Sequence, residues 1–180
     1  EYDDFGLELT KTGYFEDDIN AIIAGLNTPE EKAAAIFNFV KSNVKWNNYY
    51  GYYCNDGVKK AYKDKTGNVA EINLMLTAML RYAGLSVNPV LLSTRSNGIA
   101  LFPNRTAFDY VIAAIETANG LVLLDATEKF SLPNVLPLRD LNWFGRLIRK
   151  DGTSSEVSLT PTALSSETVN MNAVVSVDGS

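Results

Sequence analysis

Lys65-Thr66-Gly67-Asn68-Val69-Ala70-Glu71-Ile72-Asn73 is the stretch on which the fold of this chain turns. Gly67-Asn68 reads as a turn that opens a helix. Ala70, Ile72, Leu74, Leu76, Ala78, Met79, Leu80 and Ala83 then leave that helix little polar surface. A helix apolar nearly all round belongs in a core. Arg81 lies near its C-terminal end, and Gly84 is placed to cap it. The first helical position holds Val69, whose side chain can neither attack a carbonyl nor ionise. The chain has no His and a single Cys, Cys54, which lies outside this stretch. A thiol nucleophile needs a neighbouring imidazole to form its thiolate, and this sequence contains none.

Working outward, Ile19, Ile22, Ile23 and Leu26 recur at helical spacing after Asp17-Asp18. Thr28-Pro29-Glu30-Glu31 is a helix start: Thr28 caps, Pro29 suits the first helical position, and Glu31 completes a capping box. Ile36, Val40 and Val44 carry one face of that helix. The pattern stops near Trp46, where an aromatic loop begins: Trp46, Tyr49, Tyr50, Tyr52 and Tyr53 around Gly51. A short helix over 58–63 precedes Gly67. After Gly84 the period changes. Segments 87–92, 108–115 and 121–124 are rich in Val, Ile and Leu and predict strands. Ala118-Asn119-Gly120 is a hairpin turn between the last two. The loop 93–106 is polar, 133–137 is expected to be extended, and 141–148 to cover the core. Beyond residue 150 the composition shifts to Ser, Thr and Val. Segments 157–159 and 169–177 alternate like strands without a visible hairpin partner.

One hundred and eighty residues can enclose a full core. The formal net charge of −5 and the lack of a basic stripe argue against nucleic acid. Lys59, Lys60, Lys63 and Lys65 read as a solvated helix face. No apolar run is long enough to span a bilayer. One Cys excludes an intrachain disulfide. No His, no Cys cluster and no calcium-loop spacing predict no metal site and no cofactor. The chain starts at Glu1 without a signal peptide and stops just after an apolar run, so it is expected to be a piece of a longer polypeptide.

Several fragments, in order, resemble the transglutaminase-like superfamily of papain-like fold. Lys41-Ser42-Asn43-Val44-Lys45-Trp46 is similar to the end of the helix before that family's core. Gly67-Asn68-Val69-Ala70-Glu71-Ile72-Asn73 is similar to its nucleophile helix, and Met79-Leu80-Arg81-Tyr82-Ala83-Gly84 to that helix's end. Asn88-Pro89-Val90-Leu91-Leu92-Ser93-Thr94-Arg95 resembles the next strand. Phe108-Asp109-Tyr110-Val111-Ile112 falls where the family's His-bearing strand lies, and Leu124-Asp125-Ala126-Thr127 resembles the strand end that carries its acid. The resemblance covers roughly residues 30–148. It implies an α+β class, with N-terminal helices and a buried central helix packed on an antiparallel sheet. It also implies that Val69, Tyr110 and Asp125 stand at the nucleophile, imidazole and acid positions and converge on one cleft. More narrowly, the chain is similar to transglutaminase-like cores of large exported proteins of Bacteroidetes, often followed by a β domain. That implies an exported, periplasmic or cell-surface location and neighbouring domains of the same polypeptide as partners. On this division, 1–150 is the core domain, and 151–180 is a linker with the first strands of a truncated β domain.

Two functions are consistent with these residues. The first is a non-catalytic binding or structural module, with a glycan or peptide in the old cleft. Trp46, Tyr49 and Tyr50 would then stack on ligand, with Asp109, Arg95, Asn47 and Asn48 making polar contacts. The same rings could instead form a lid over the core. The second is a hydrolase or acyltransferase with a non-standard nucleophile such as Ser42, Ser93 or Thr94. Cys54 reads as an incidental thiol. Asp125 could be a relic or could bond Tyr110 and hold the cleft rigid.

Overall fold

The chain is described from a computed structural model over residues 4–99, 107–161 and 168–172. The helices come first: α1 (Asp4–Glu8), α2 (Glu16–Ile23) and α3 (Pro29–Asn43). Next are β1 (Lys45–Trp46), α4 (Val58–Asp64), β2 (Thr66–Gly67) and α5 (Val69–Tyr82). The strands β3 (Val87–Leu92), β4 (Tyr110–Thr117), β5 (Gly120–Leu124), β6 (Phe144–Ile148) and β7 (Ser154–Ser158) complete the order. The last five form one antiparallel sheet, β5-β4-β3-β6-β7. This is the α+β arrangement expected: α5 lies against β3 and β4 on one side and against α3 and α4 on the other.

The helix starts follow local chemistry. Thr28 Oγ1 accepts the Glu31 N–H at 3.1 Å, and the Glu31 carboxylate accepts the Thr28 N–H at 3.0 Å. The same reciprocal box opens α5. Asn68 Oδ1 accepts the Glu71 N–H, and Glu71 Oε2 accepts the Asn68 N–H, both at 2.8 Å. The other Glu71 oxygen accepts Asp56 N–H at 2.6 Å and Gly57 N–H at 3.1 Å. One buried carboxylate thus satisfies the helix start and ties the preceding loop to it, beside the positive end of the helix dipole. Gly67 is required by space: a Cβ there would stand 3.0 Å from Ala61 Cβ and from Glu71 Cβ and Oε2. Residues Val69 to Leu80 are all buried, as the apolar pattern predicts.

The strands 87–92 and 120–124 and the turn between β4 and β5 fall where expected, while β4 starts two residues late, at Tyr110. Three expectations need correction. Residues 133–137 are not extended: Leu132 and Val135 bridge across a tight turn at Pro133-Asn134, where Asn134 adopts a positive φ of 61°. The covering segment 141–148 contains a strand of the sheet, β6. Its neighbour β7 lies beyond residue 150, so the expected boundary at 150/151 falls within a β6–β7 hairpin of the core sheet. The partner that 157–159 lacked in the sequence is the stretch 144–148, whose period-2 pattern is masked by Gly145 and Arg146. Residues 168–172 carry no regular structure, and the strand expected to end at 177 runs outside the described residues.

Gly145 lets β6 approach β3. A Cβ at 145 would meet Val90 Cγ1 at 2.7 Å and the Leu91 carbonyl oxygen at 3.0 Å. Gly145→Ala should therefore destabilise the fold by about 1–3 kcal/mol through overpacking, measured by urea unfolding. An unchanged midpoint would mean that the two strands are not in this close contact.

Candidate functional site

The first half of α5 and the start of β4 meet at Asp125, the residue that follows β5. Asp125 and Tyr110 are both fully buried, and the Tyr110 hydroxyl donates to Asp125 Oδ2 at 3.0 Å. Asn73, one helical turn after Val69 and on the same face of α5, donates to Asp125 Oδ1 at 2.8 Å and to the Val111 carbonyl at 3.0 Å. Its side-chain Oδ1 accepts the Ala126 N–H at 2.9 Å. Thr127 N–H adds a further bond to Asp125 at 3.0 Å. Burial, followed by the charges of Asp125 and Asp140, pushes the Tyr110 phenol far above its ordinary range, so it stays a neutral donor.

Arg139, from the loop before β6, fills the remaining space. Its Nε donates to the Tyr110 hydroxyl at 3.1 Å, Nη1 to Glu128 at 2.7 Å, and Nη2 to Thr127 Oγ1 at 2.8 Å, with Asp125 Oδ2 3.5 Å away. The guanidinium carbon stands 4.5 Å from the Trp46 ring centre, a cation–π distance. Burial opposes this charge, but Tyr110, Glu128 and Asp125 outweigh it and hold Arg139 protonated. The next residue, Asp140, is fully buried, and neither carboxyl oxygen has a hydrogen-bond partner among the described residues. Arg139 Nε is 3.9 Å from it, beyond hydrogen-bond reach. Burial, reinforced by the Asp125 charge, raises its pKa well above the carboxylate range.

The aromatic loop closes over this network. The Tyr50 ring centre is 5.8 Å from that of Tyr110 and 5.4 Å from that of Trp46, edge to face with the indole. Trp46 Nε1 donates to the Tyr49 carbonyl at 3.1 Å, and the same carbonyl accepts the Val69 N–H at 3.3 Å. The loop is therefore pinned to the N-terminus of α5. Trp46 is half-buried, whereas Tyr49 and Tyr50 are 65% and 46% exposed.

Tyr110 and Asp125 thus touch. Val69 is fully buried, and its N–H bonds the Tyr49 carbonyl in the loop whose Tyr50 ring lies beside Tyr110. Two expected members lie elsewhere. Asp109 is spent on Thr94, accepting its N–H at 2.7 Å and its hydroxyl at 2.6 Å. Arg95 is exposed and lines a separate recess with Ile99, Leu141, Asn142 and Trp143. The turn after β3 thus engages the Asp109 carboxylate and leaves the Arg95 side chain exposed. Arg139, Asp140, Thr127 and the role of Asn73 were not read from the sequence. Of these, Asn73 carried a signal, as an amide inside a largely apolar helix.

The profile of the transglutaminase-like superfamily matches residues 18–118, more than half of the chain. The chain belongs to the transglutaminase-like superfamily. Solved structures agree on the fold. One, from Parabacteroides distasonis ATCC 8503 and provisionally described as a protease, superposes with a TM-score of 0.62 at 15% identity, over 87% of this chain and 30% of that one. Another, from Cytophaga hutchinsonii and provisionally described as a cysteine protease, gives 0.51 at 11% identity, over 86% and 51%. This transglutaminase-like chain therefore covers 30% of the length of the first of those two proteins and 51% of the second. A search of curated proteins gave no match.

The Asp140 carboxyl titrates with a definite sign. Its folded-state pKa is raised, so its contribution to stability is full below about pH 4, the unfolded carboxylate value, and is lost as pH rises toward the folded pKa. Asp140→Asn removes that loss. The variant's unfolding temperature relative to the parent should rise steadily from pH 4 to pH 8. A difference that stays constant over this range would mean that Asp140 ionises alike in both states.

Proposed function

We propose that this transglutaminase-like domain is a non-catalytic module that binds or organises within a larger exported bacterial protein of the Bacteroidetes type, with a glycan or peptide recognised at the aromatic loop. Val69, Tyr110 and Asp125 are taken as the former nucleophile, imidazole and acid positions. The observation that carries this reading is the Tyr110–Asp125–Arg139 network. The acid is bonded to a phenol and faces a permanent cation, in a chain with no imidazole. A phenol pushed upward by burial is no general base at neutral pH. Arg139 occupies the space beside the acid with its donors already engaged. Tyr49 and Tyr50, held on a pinned loop and open to solvent, support recognition at this edge.

The descriptions of the two structural neighbours as proteases favour a second reading, a hydrolase or acyltransferase with a non-standard nucleophile. Of its candidates, Ser42 is exposed, and Ser93 Oγ donates to the Gly98 carbonyl at 2.7 Å. Thr94 has a carboxylate in reach, that of Asp109, but its side chain is fully buried and the pair closes a turn. Cys54 is half-buried in the aromatic loop.

The purified protein is expected neither to cleave nor to cross-link peptides, and Val69→Cys alone should not change this, since the new thiol has no base. Val69→Cys with Tyr110→His is the smallest change that supplies both groups. Robust turnover by the unmodified chain, abolished by one polar substitution, would overturn the proposal. Tyr50→Ala, which removes two ring contacts at an exposed position, should cost only about 1 kcal/mol of stability while weakening a glycan or peptide ligand. A large loss of stability with no ligand in a glycan and peptide screen would favour the lid.

A further inference from the structure

A recess of about 760 Å³ opens beside Trp46, between the C-terminal half of α3 and the loop after β5. Its size is that of a small-ligand cleft. Its charges are one-sided: Lys41, Lys45 and Lys129 line it against a single carboxylate, Glu128. That carboxylate is already engaged by Arg139 Nη1 at 2.7 Å. None of the three lysines has an ion-pair partner among the described residues. A locally cationic recess therefore sits on a chain whose formal net charge is −5. Lys41 Nζ donates to the Ser131 carbonyl at 2.7 Å and lies over the Phe37 ring, which fixes its head at the wall. Burial lowers its pKa, so its charge would gain from an incoming anion.

The rest of the lining favours a sugar over a peptide. Asn38, Ser42, Asn48 and Thr127 present amides and hydroxyls. Among the lining residues only Trp46 and the buried Val44 are apolar, so the recess offers no pocket for apolar peptide side chains. Hydroxyl-rich rings match amide and hydroxyl walls, and an indole at the edge suits stacking. We propose that this recess, continuous with the aromatic loop through Trp46 and Asn48, binds an acidic oligosaccharide whose carboxylate or sulfate groups meet Lys41, Lys45 and Lys129. This rests on the recognition reading above and specifies its ligand class and place.

The test is calorimetric titration of the chain with a galacturonate hexamer, a heparin-derived hexasaccharide, a neutral maltohexaose and a hexaglutamate peptide. An acidic sugar is expected to bind, more weakly at 0.5 M than at 0.05 M salt. Lys45→Gln and Lys129→Gln, both exposed and thus safe for folding, should each weaken it by roughly 2- to 5-fold. Trp46→Ala should weaken it by roughly tenfold. Binding of maltohexaose that ignores the lysine variants would overturn the ligand class while leaving recognition in place. Tighter binding of hexaglutamate would overturn the choice of sugar. An acidic sugar that ignores both lysine variants would overturn the location. If no oligosaccharide binds, the proposal and the glycan reading beneath it both fail.

Discussion

The Asn73 side chain holds the two halves of this domain in register. It projects from the first half of a largely apolar helix, and it uses both ends of its amide. The NH2 group reaches the Val111 carbonyl and the Asp125 carboxylate, and the oxygen takes the Ala126 N–H. Hydrophobic burial would press α5 against the sheet in many rotations and translations, since Leu, Ile and Met are tolerant partners. An amide with three directional bonds selects one. The cost of a mistake is a set of orphaned groups in a dry interior, about 1–3 kcal/mol each, which is how a polar residue in a core buys specificity. Everything around Asp125 inherits its position from this contact.

What the sequence disclosed follows from range. Helix starts are local: the capping box read at Thr28 and the Gly67-Asn68 turn each mark the start of the helix that follows. The buried helix and the three strands after it carry dense apolar patterns, and those were readable too. The hairpin β6–β7 was not. Phe144-Gly145-Arg146-Leu147-Ile148 breaks alternation with a glycine that is there to permit a close strand approach, and only the neighbouring strand explains it. The Ser- and Thr-rich composition of 154–158 suits an edge strand as well as a linker, so composition pointed to a boundary where the sheet continues.

The candidate site divides along the same line. Tyr110 and Asp125 were indicated by the resemblance of their segments to the family, and they are in contact. Arg139 could not. It lies in a loop without periodicity, and its importance comes from five neighbours spread from residue 46 to residue 128. Asp140 is the same kind of case: nothing local distinguishes a buried acid from the exposed acids that are the rule. Members of such a network are also energetically coupled, because each one satisfies groups on the others. Changes at Tyr110, Thr127 and Arg139 should therefore not add.

The two indoles of the chain sit in contrasting places. Trp143 is half exposed beside β6, with a positive φ of 65°, while Trp46 has a guanidinium over its ring and its N–H bound to the loop backbone. Indole emission responds to nearby charge and to hydration. The natural fluorescence of this protein therefore contains one solvent-facing signal and one that reports on the cleft. With Trp143 replaced by Phe, the remaining emission becomes an optical probe of how firmly the aromatic loop is seated, with no label attached.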